Sequence, residues 1–517
     1  MNGAEALVRT LVANGVTTCF ANPGTSEMHF LAALDRVSGM RSILVLHENV
    51  ATGAADGYAR MTGQPASTLL HLGPGLVNGL SNLHNAGRAG MPVVNIVGDH
   101  ATFHRRFDAP LTSDIEGAAR PFCSWVRTSA SAEQVAADGA AAVAAARTRP
   151  GGVTCLILPA DTAWNDIGDD FTPPVIPRPD GYAALDGSAV DTAAEMLRDP
   201  AGTVILLAGE AVQEPTLGLA GRLAAETGAR LMAQTTNPRI ERGAGRVEPE
   251  RLPFPIDQAI AALAGTRQLL LVGAKAPVAF FAYPDRPSVL TPPDCRIHCL
   301  SRADQNPEEA IRAVLNALGL EASPLPQEQG PAPEPATGAL SLEALGRSIG
   351  ALLPEGAIVV DEALTSGRSF TPATRFAAPH DWLQNMGGSI GYGPPLATGC
   401  AVAQPGRRVI CLEGDGSAMY TLQALWTQAR EQLDVTTVVF ANRSYAILRH
   451  ELAKVGAGNP GPALIDMLSL ENPTLDWVKL AQGMGVEAVR VDDMAGFNTA
   501  FRSANRHAGP MLIEVVL

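Results

Sequence analysis

Residues 407–444 read RRVICLEGDGSAMYTLQALWTQAREQLDVTTVVFANRS. The run RRVICLEG predicts a buried strand that ends in the turn Gly414-Asp415-Gly416. Apolar spacing predicts a helix over Thr421–Gln432, and TTVVFA a second buried strand that delivers Asn442. In a parallel β-α-β unit, the turns after successive strands emerge on the same edge of the sheet. Asp415 and Asn442 therefore end at one place. A carboxylate, an amide oxygen and the free carbonyls of a turn make a hard-oxygen site suited to Mg2+ or Ca2+. The glycines let backbone N–H groups approach an anion, so a metal ion carrying a diphosphate is the expected ligand.

The rest of the chain extends the same style. Its 517 residues exceed one hydrophobic core, and 46% hydrophobic against 17% charged residues describe a large globular enzyme. A net charge of −14 argues against nucleic-acid and anionic-membrane partners. No apolar run reaches spanning length, and Met1-Asn2-Gly3-Ala4-Glu5 lacks the basic start of a signal peptide, so a cytoplasmic chain is expected. Seven scattered cysteines, an odd number, read as reduced thiols. Cys295-Arg-Ile-His298-Cys299 has no second ligand pair and reads as a strand in the buried core rather than a zinc site.

Two proline-rich stretches, 172–180 and 323–338, divide the sequence; the second reads SPLPQEQGPAPEPATG and predicts an extended surface linker. They leave three blocks, at 1–170, 185–320 and 340–517. Each alternates β-branched apolar runs with helical stretches: SILVL, STLLH and PVVNIVG in the first, TVILLAG, QLLLVG and RIHCL in the second, AIVVDE, VICLEG and MLIEVVL in the third. Such runs predict parallel sheets covered on both faces, hence an α/β chain of three doubly wound domains.

The order strand–GDGS–helix–strand–Asn resembles the diphosphate-binding signature of thiamine-diphosphate (ThDP) enzymes. The resemblance implies that Asp415, Asn442 and the carbonyl of Ser444 hold Mg2+, with Ca2+ as a substitute. It implies cofactor contacts from Gly414, Gly416, Ser417, Tyr445, Ala446 and Ile447. Relatives usually have Asn-Asn where this chain has Ala441-Asn442, a change that leaves the ligand position intact. Asn385-Met386-Gly387-Gly388-Ser389-Ile390-Gly391 is by itself a tight glycine turn. By resemblance the Gly388 carbonyl accepts a bond from the cofactor's amine, and Ile390 props the cofactor into a bent shape. Thr365 and Ser366, after AIVVDE, are either loop hydroxyls or donors to the diphosphate.

In the first block, HENVATGAADGYAR puts Glu48 at a helix start, where an isolated carboxylate is simply a favourable charge–dipole pairing. By resemblance, Glu48 bonds to the cofactor's aminopyrimidine ring and drives formation of the ylid that attacks a carbonyl. Asn22-Pro23-Gly24-Thr25-Ser26-Glu27 and His71 match the turn and the strand-terminal His of benzoylformate decarboxylases. There they hold the substrate carboxylate and shuttle protons, so Thr25 and His71 join Glu48 as expected catalytic residues. The chain thus resembles the acetolactate synthase / benzoylformate decarboxylase branch. The implied reaction is decarboxylation of a 2-oxo acid, with release of an aldehyde or addition to a second carbonyl, in a homodimer or homotetramer whose sites lie between subunits. The alternatives are acetolactate synthase, which usually carries FAD, and a non-catalytic scaffold. No flavin-binding stretch is evident, and intact Glu48, Asp415 and Asn442 argue against a scaffold. The central block offers only Phe281, Ala282 and Tyr283 where a benzoylformate decarboxylase has a second catalytic His. His450 and Glu451 stand where that pocket wall is aromatic, either as a polar wall, which with the extra methyl of Thr25 predicts small donors, or as a surface-facing pair, while His100 and His104 follow a strand that leads toward the site.

Overall fold

The computed structural model describes residues 1–177 and 181–517, so the first proline-rich stretch lies partly outside the described residues. Among the described residues, eighteen strands form three sheets. The first contains β1 (Thr18–Ala21), β2 (Arg41–Leu44), β3 (Ala66–Leu70), β4 (Val93–Asp99), β5 (Trp125–Thr128) and β6 (Val153–Pro159), in the order β2-β1-β3-β4-β6-β5 and parallel throughout. The second contains β7 (Thr203–Leu207), β8 (Arg230–Ala233), β10 (Glu250–Arg251), β11 (Gln268–Val272) and β12 (Arg296–Ser301), in the order β10-β8-β7-β11-β12. The third contains β13 (Ile358–Glu362), β14 (His380–Gln384), β15 (Val409–Gly414), β16 (Val435–Ala441), β17 (Glu487–Val491) and β18 (Met511–Val516), with β9 (Ile240–Arg242) at its edge.

β9 departs from the parallel expectation. It lies among central strands in sequence, yet it pairs antiparallel with β14, His380 opposite Arg242. The Cys295–Cys299 reading also changes. β12 is an edge strand of the second sheet, with Cys299 exposed and the His298 Nε2–H donating to Ala189 O, 2.9 Å away. Only its end, Leu300 and Ser301, is buried, because the strand has a neighbour on one side only. All seven cysteines are free thiols.

Local sequence sets the helix that begins at Glu48. His47 caps the Glu48–Thr62 helix by accepting the Asn49 N–H on Nδ1, and Gly63, at φ 65°, ends it in the left-handed conformation that a Cβ disfavours. This helix crosses the Gly393–Ala403 helix at positions without side chains. A Cβ on Gly57 would sit 2.1 Å from Leu396 O, and one on Gly399 1.9 Å from Ala54 O. One hydrophobic core consequently runs from Phe20 and Leu70 of the first sheet to Leu396, Val409 and Val435 beside the third. No helix among the described residues is long and apolar enough to cross a membrane.

The helix expected over Thr421–Gln432 is shorter and interrupted. A single turn at Asp415–Ala418 is followed by a helix at Ala424–Arg430. Between them Thr421 donates to Gly391 O at 3.0 Å, and the Tyr420 Cβ lies 2.5 Å from where a Gly391 Cβ would be. These contacts hold residues 419–423 against a neighbouring turn and bend the chain out of the helix.

Candidate active site

The candidate residues gather at the carboxyl ends of strands, in two groups. In the first sheet Glu48 is buried, and its Oε2 accepts from Asn78 Nδ2 at 3.1 Å. Gly75 lies between Glu48 and His71: a Cβ there would meet Glu48 Oε1 at 3.1 Å and the His71 Cβ at 3.3 Å. Glu48 and His71 therefore flank one point.

His71 ends β3 and caps the Leu72–Ala89 helix. Its Nδ1 lies 2.9 Å from Oε2 of the buried Glu27. A carboxylate at that distance calls for a proton on Nδ1, which leaves Nε2 free to accept one. Glu27 is further held by the Gly24 N–H at 3.0 Å and the Ser26 hydroxyl at 3.1 Å. Two glycines make room for the pair. A Cβ on Gly24 would lie 2.0 Å from His71 Nδ1, and one on Gly98 1.7 Å from Glu27 Oε1. Thr25 is exposed with no hydrogen-bond partner among the described residues, and the hydroxyl beside His71 is that of Ser26, at 3.4 Å. The turn Thr25–Glu27 thus sets Ser26 rather than Thr25 against His71 and leaves the Thr25 side chain exposed. Glu27, Ser26 and Asn78 were not singled out from the sequence; only the Gly24–Glu27 turn spacing signalled the first.

Asp99 ends β4 next to this group. Burial raises its carboxyl above the usual range, an effect the Arg105 guanidinium, 2.7 Å away, opposes. His100 and His104 pack on each other beyond it, ring centroids 5.5 Å apart and planes tilted by 58°.

The second group lies on four adjacent strands of the third sheet, β14-β13-β15-β16. Asp415 follows β15 directly. Its Oδ1 accepts the Gly416 N–H at 2.9 Å and its Oδ2 the Arg443 N–H at 2.6 Å. Burial pushes its carboxyl up to about 6. Among the described residues no cationic side chain is within salt-bridge distance of it, and the Arg443 charge opposes the rise only weakly, from farther away. Asn442 follows β16, and its Oδ1 accepts the Ser444 N–H at 2.9 Å. The Ser444 hydroxyl donates to Leu468 O at 3.1 Å, and Tyr445 N–H to the same carbonyl at 3.0 Å, which ties this turn to residues 468–470. The Tyr445 ring covers Gly416, where a Cβ would be 2.6 Å from the ring. Gly414 precedes Asp415 in the turn and Ser417 donates to Glu413 Oε2 at 3.0 Å. Ala446 and Ile447 open the Ala446–Lys454 helix. Thr365 and the buried Ser366 follow β13.

The segment carrying Gly388 and Ile390 follows β14. Asn385 Oδ1 accepts the Gly388 N–H at 2.7 Å, and Asn85 Nδ2 donates to Ser389 O at 2.9 Å. The buried Glu362 accepts the N–H groups of Gly391 and Gly393, each at 2.8 Å. Glu362 and Glu413 are register partners on β13 and β15, and burial raises both carboxyls; the Glu362 charge pushes Glu413 up further, whereas the bond from Glu413 and the backbone N–H groups hold Glu362 back. Neither was singled out from the sequence, where each is one more acidic residue at a strand end.

No group of three or more His, Cys, Asp or Glu side chains that could hold a metal ion occurs among the described residues. Asp415 and Asn442 end the adjacent strands β15 and β16 with oxygen donors and a single charge, a set whose chemistry fits Mg2+. Glu451 differs from its expected part as pocket wall. It accepts from Tyr283 OH at 2.7 Å and from Lys454 Nζ at 2.7 Å, while His450 is exposed.

The comparisons with known proteins agree with this architecture. Residues 1–117 match the family model described as the N-terminal TPP binding domain of thiamine pyrophosphate enzymes, and 366–515 the C-terminal one. A Mycobacterium tuberculosis protein provisionally named acetolactate synthase large subunit IlvX is 50% identical over 100% of this chain and 99% of its own length. Benzoylformate decarboxylase of Pseudomonas aeruginosa is 30% identical, with 97% of this chain and 96% of the relative covered. Among solved structures, the ThDP-dependent 4-hydroxybenzoylformate decarboxylase of Rhodococcus jostii RHA1 superposes with a TM-score of 0.84 at 24% identity, covering 99% of this chain and 98% of that one. The chain belongs to the thiamine-diphosphate-dependent enzymes of the acetolactate synthase / benzoylformate decarboxylase family.

Proposed function

We propose that this enzyme decarboxylates a 2-oxo acid with ThDP and Mg2+, and passes the remaining acyl unit to a proton or to a second carbonyl compound. The observation that carries this reading is the buried Asp415 carboxylate, with no salt-bridge partner among the described residues, beside Asn442 and the Ser444 turn. Asp415, Asn442 and the Ser444 carbonyl would hold the metal, and the backbone around Gly414–Ser417 with Thr365 and Ser366 would face the diphosphate. Bound there, ThDP supplies a nucleophilic carbon and an electron sink for the bond to CO2. Glu48 would hold a proton at the pyrimidine ring, and Ile390 and the Gly388 carbonyl would orient that ring. His71, with Nδ1 held by Glu27, would move protons through Nε2 at the substrate.

The same proposal assigns three domains at 1–170, 185–320 and 340–517. It joins Glu48 of one subunit to Asp415 of another in a homodimer or homotetramer, as in a family whose members act between subunits. It includes no flavin. The order of the second sheet reverses between β7 and β11, where open α/β sheets take ligands. There Gln234 Nε2 donates to Lys275 O at 3.1 Å, and the Gly209 N–H is taken by Asn237 Oδ1 at 3.2 Å.

Acetolactate synthase is the second reading, favoured by the name of the 50% identical relative. A screen of 2-oxo acids for CO2 release, with and without aldehyde or 2-oxo acid acceptors, separates the two. Acetolactate from pyruvate alone supports the synthase, and free aldehyde or mixed ligation products support the decarboxylase. Asp415→Ala is expected to abolish ThDP binding in calorimetry, and unchanged affinity would remove the metal assignment.

A further inference from the structure

Two thiols outside the candidate site are in contact. Cys155 lies on β6, fully buried between Asn95 of β4 and Val126 of β5. Cys123 stands in the connection that leads into β5. Its N–H donates to Ala119 O at 3.0 Å, and the Ser124 N–H donates to Val153 O at 2.9 Å. The connection lays the partly exposed Cys123 side chain on the apolar cluster that contains Cys155. There the two thiols share a hydrogen bond, which together with burial raises the Cys155 thiol well above its usual range. The ends of the pair therefore differ in reactivity. Cys155 keeps its proton, and Cys123 is the sulfur that a small oxidant meets first.

A contiguous path of packed groups runs from Cys123 to the turn after β14. Phe122 precedes Cys123, and its ring meets the His84 ring edge-on, centroids 6.2 Å apart. The Phe122 carbonyl lies 3.8 Å from where a Gly87 Cβ would be, so both contacts fall on one face of the Leu72–Ala89 helix. The His84 Nε2–H donates to Gly387 O at 3.2 Å, and a Cβ on Gly387 would lie 2.6 Å from the His84 ring. Gly388 comes next, the residue whose carbonyl is proposed to orient the cofactor.

We infer that Cys123 and Cys155 are a redox-sensitive pair, and that their disulfide weakens ThDP binding through Phe122 and His84. The oxidant is a peroxide. Cys123 gives its proton to solvent, and its thiolate attacks one peroxide oxygen. An S–O bond forms, the O–O bond breaks and hydroxide leaves, taking up a proton. The Cys155 sulfur then attacks the Cys123 sulfenic acid. The S–S bond forms, the S–O bond breaks, and the leaving hydroxide takes the Cys155 proton as water. With hydrogen peroxide, two thiols become one disulfide and two waters, the sulfurs losing the two electrons that the peroxide gains. The new bond holds the sulfurs closer than a hydrogen bond does. Cys155 is fixed by strands on both sides, so the displacement falls on Cys123 and Phe122. The disulfide chemistry stands independently of the proposed function, and its effect on ThDP rests on that reading.

The test uses the reduced full-length enzyme, treated with a small excess of hydrogen peroxide, alkylated, digested and mapped by mass spectrometry. A Cys123–Cys155 link that dithiothreitol reverses is expected. Calorimetry with ThDP and Mg2+ should give a Kd about tenfold higher for the oxidised enzyme, restored on reduction. By reciprocity, bound ThDP should shift the thiol–disulfide equilibrium toward thiols by the same factor. Cys155→Ala opens a gap in the core, so Cys123→Ser, at the partly exposed end, is the deciding variant. It should bind ThDP as reduced wild type does, before and after peroxide. Sulfenic or sulfinic acid on Cys123 without a link overturns the pair. A link with unchanged ThDP affinity overturns its effect on the cofactor turn. Peroxide-induced loss of affinity in Cys123→Ser does so too, and assigns that loss to another residue. If reduced wild type binds no ThDP, the proposed function fails by itself, and the mass map still decides the link.

Discussion

Glu48 and Glu27 are both buried carboxylates in the first sheet's cluster, and their surroundings give them different work. Glu48 has a single side-chain donor, Asn78, on Oε2, so its other oxygen is available to a bound ring. Glu48→Gln keeps the shape but loses the exchangeable proton. Activity should fall by roughly two to four orders of magnitude with ThDP affinity retained. Hydrogen–deuterium exchange at the cofactor's reactive carbon reads this directly, and a wild-type rate would exclude the role. Glu27 has donors on both oxygens and fixes the His71 tautomer. Glu27→Gln should lower kcat/KM roughly a hundredfold. Gly98→Ala should mimic it, because the new methyl would lie 1.7 Å from Glu27 Oε1. Steady-state kinetics on both variants checks the link, and full activity in Gly98→Ala would show that the carboxylate need not touch His71.

Two helices decide how the first and third sheets are held together within one chain. The Glu48–Thr62 helix starts with the buried Glu48, and the Gly393–Ala403 helix starts just after Ile390. They touch through Gly53, Gly57 and Gly399, and at the last two the nearest atoms are backbone carbonyl oxygens that cannot rotate away. Gly57→Ala should therefore cost roughly 1–3 kcal/mol of stability by overpacking. Urea unfolding measures it, and a midpoint equal to wild type would show that the crossing tolerates separation. The helix expected over Thr421–Gln432 obeys the same logic. Its apolar period promised a start at Thr421, but the Thr421–Gly391 bond and the Tyr420 contact hold that segment against the neighbouring turn, and the helix begins at Ala424.

The whole molecule is held across its blocks by a seam that no local pattern marks. β9 adds to the edge of the third sheet, and Arg239 and Arg407 both pair with Asp381 there, at 2.8 Å and 2.5 Å. His380 sits in this seam, opposite Arg242. Burial, reinforced by the charges of Arg242 and Arg246, lowers its imidazole to about 4. Folding thus favours neutral His380, and the unfolded chain binds its proton near pH 6.5. Stability from this residue is complete above pH 6.5, erodes as the pH falls toward 4, and levels off below that. The loss is on the order of 3 kcal/mol. Urea unfolding of wild type and His380→Gln between pH 7 and 4 tests this. Identical pH slopes would assign the acid sensitivity to other groups.

Strand–GDGS–helix–strand–Asn, the HENVATGAADGYAR helix start and the NPGTSE turn were legible in the sequence because they are local. Each requires particular residue types within a few positions: glycines for tight turns, β-branched runs for buried parallel strands, a carboxylate at a strand end. Asp415, Asn442, Glu48 and His71 could therefore be named from their own neighbourhoods. The partners that define their chemistry could not. Glu27 reaches His71 across 44 residues, Asn78 reaches Glu48 across 30, and Tyr283 reaches Glu451 across 168. The exposure of Thr25, the placement of β9 in the third sheet and the engagement of Glu451 are equally non-local. They depend on packing between elements, where a single Cβ or a hydrogen bond between distant segments selects one arrangement among several that the local pattern allows.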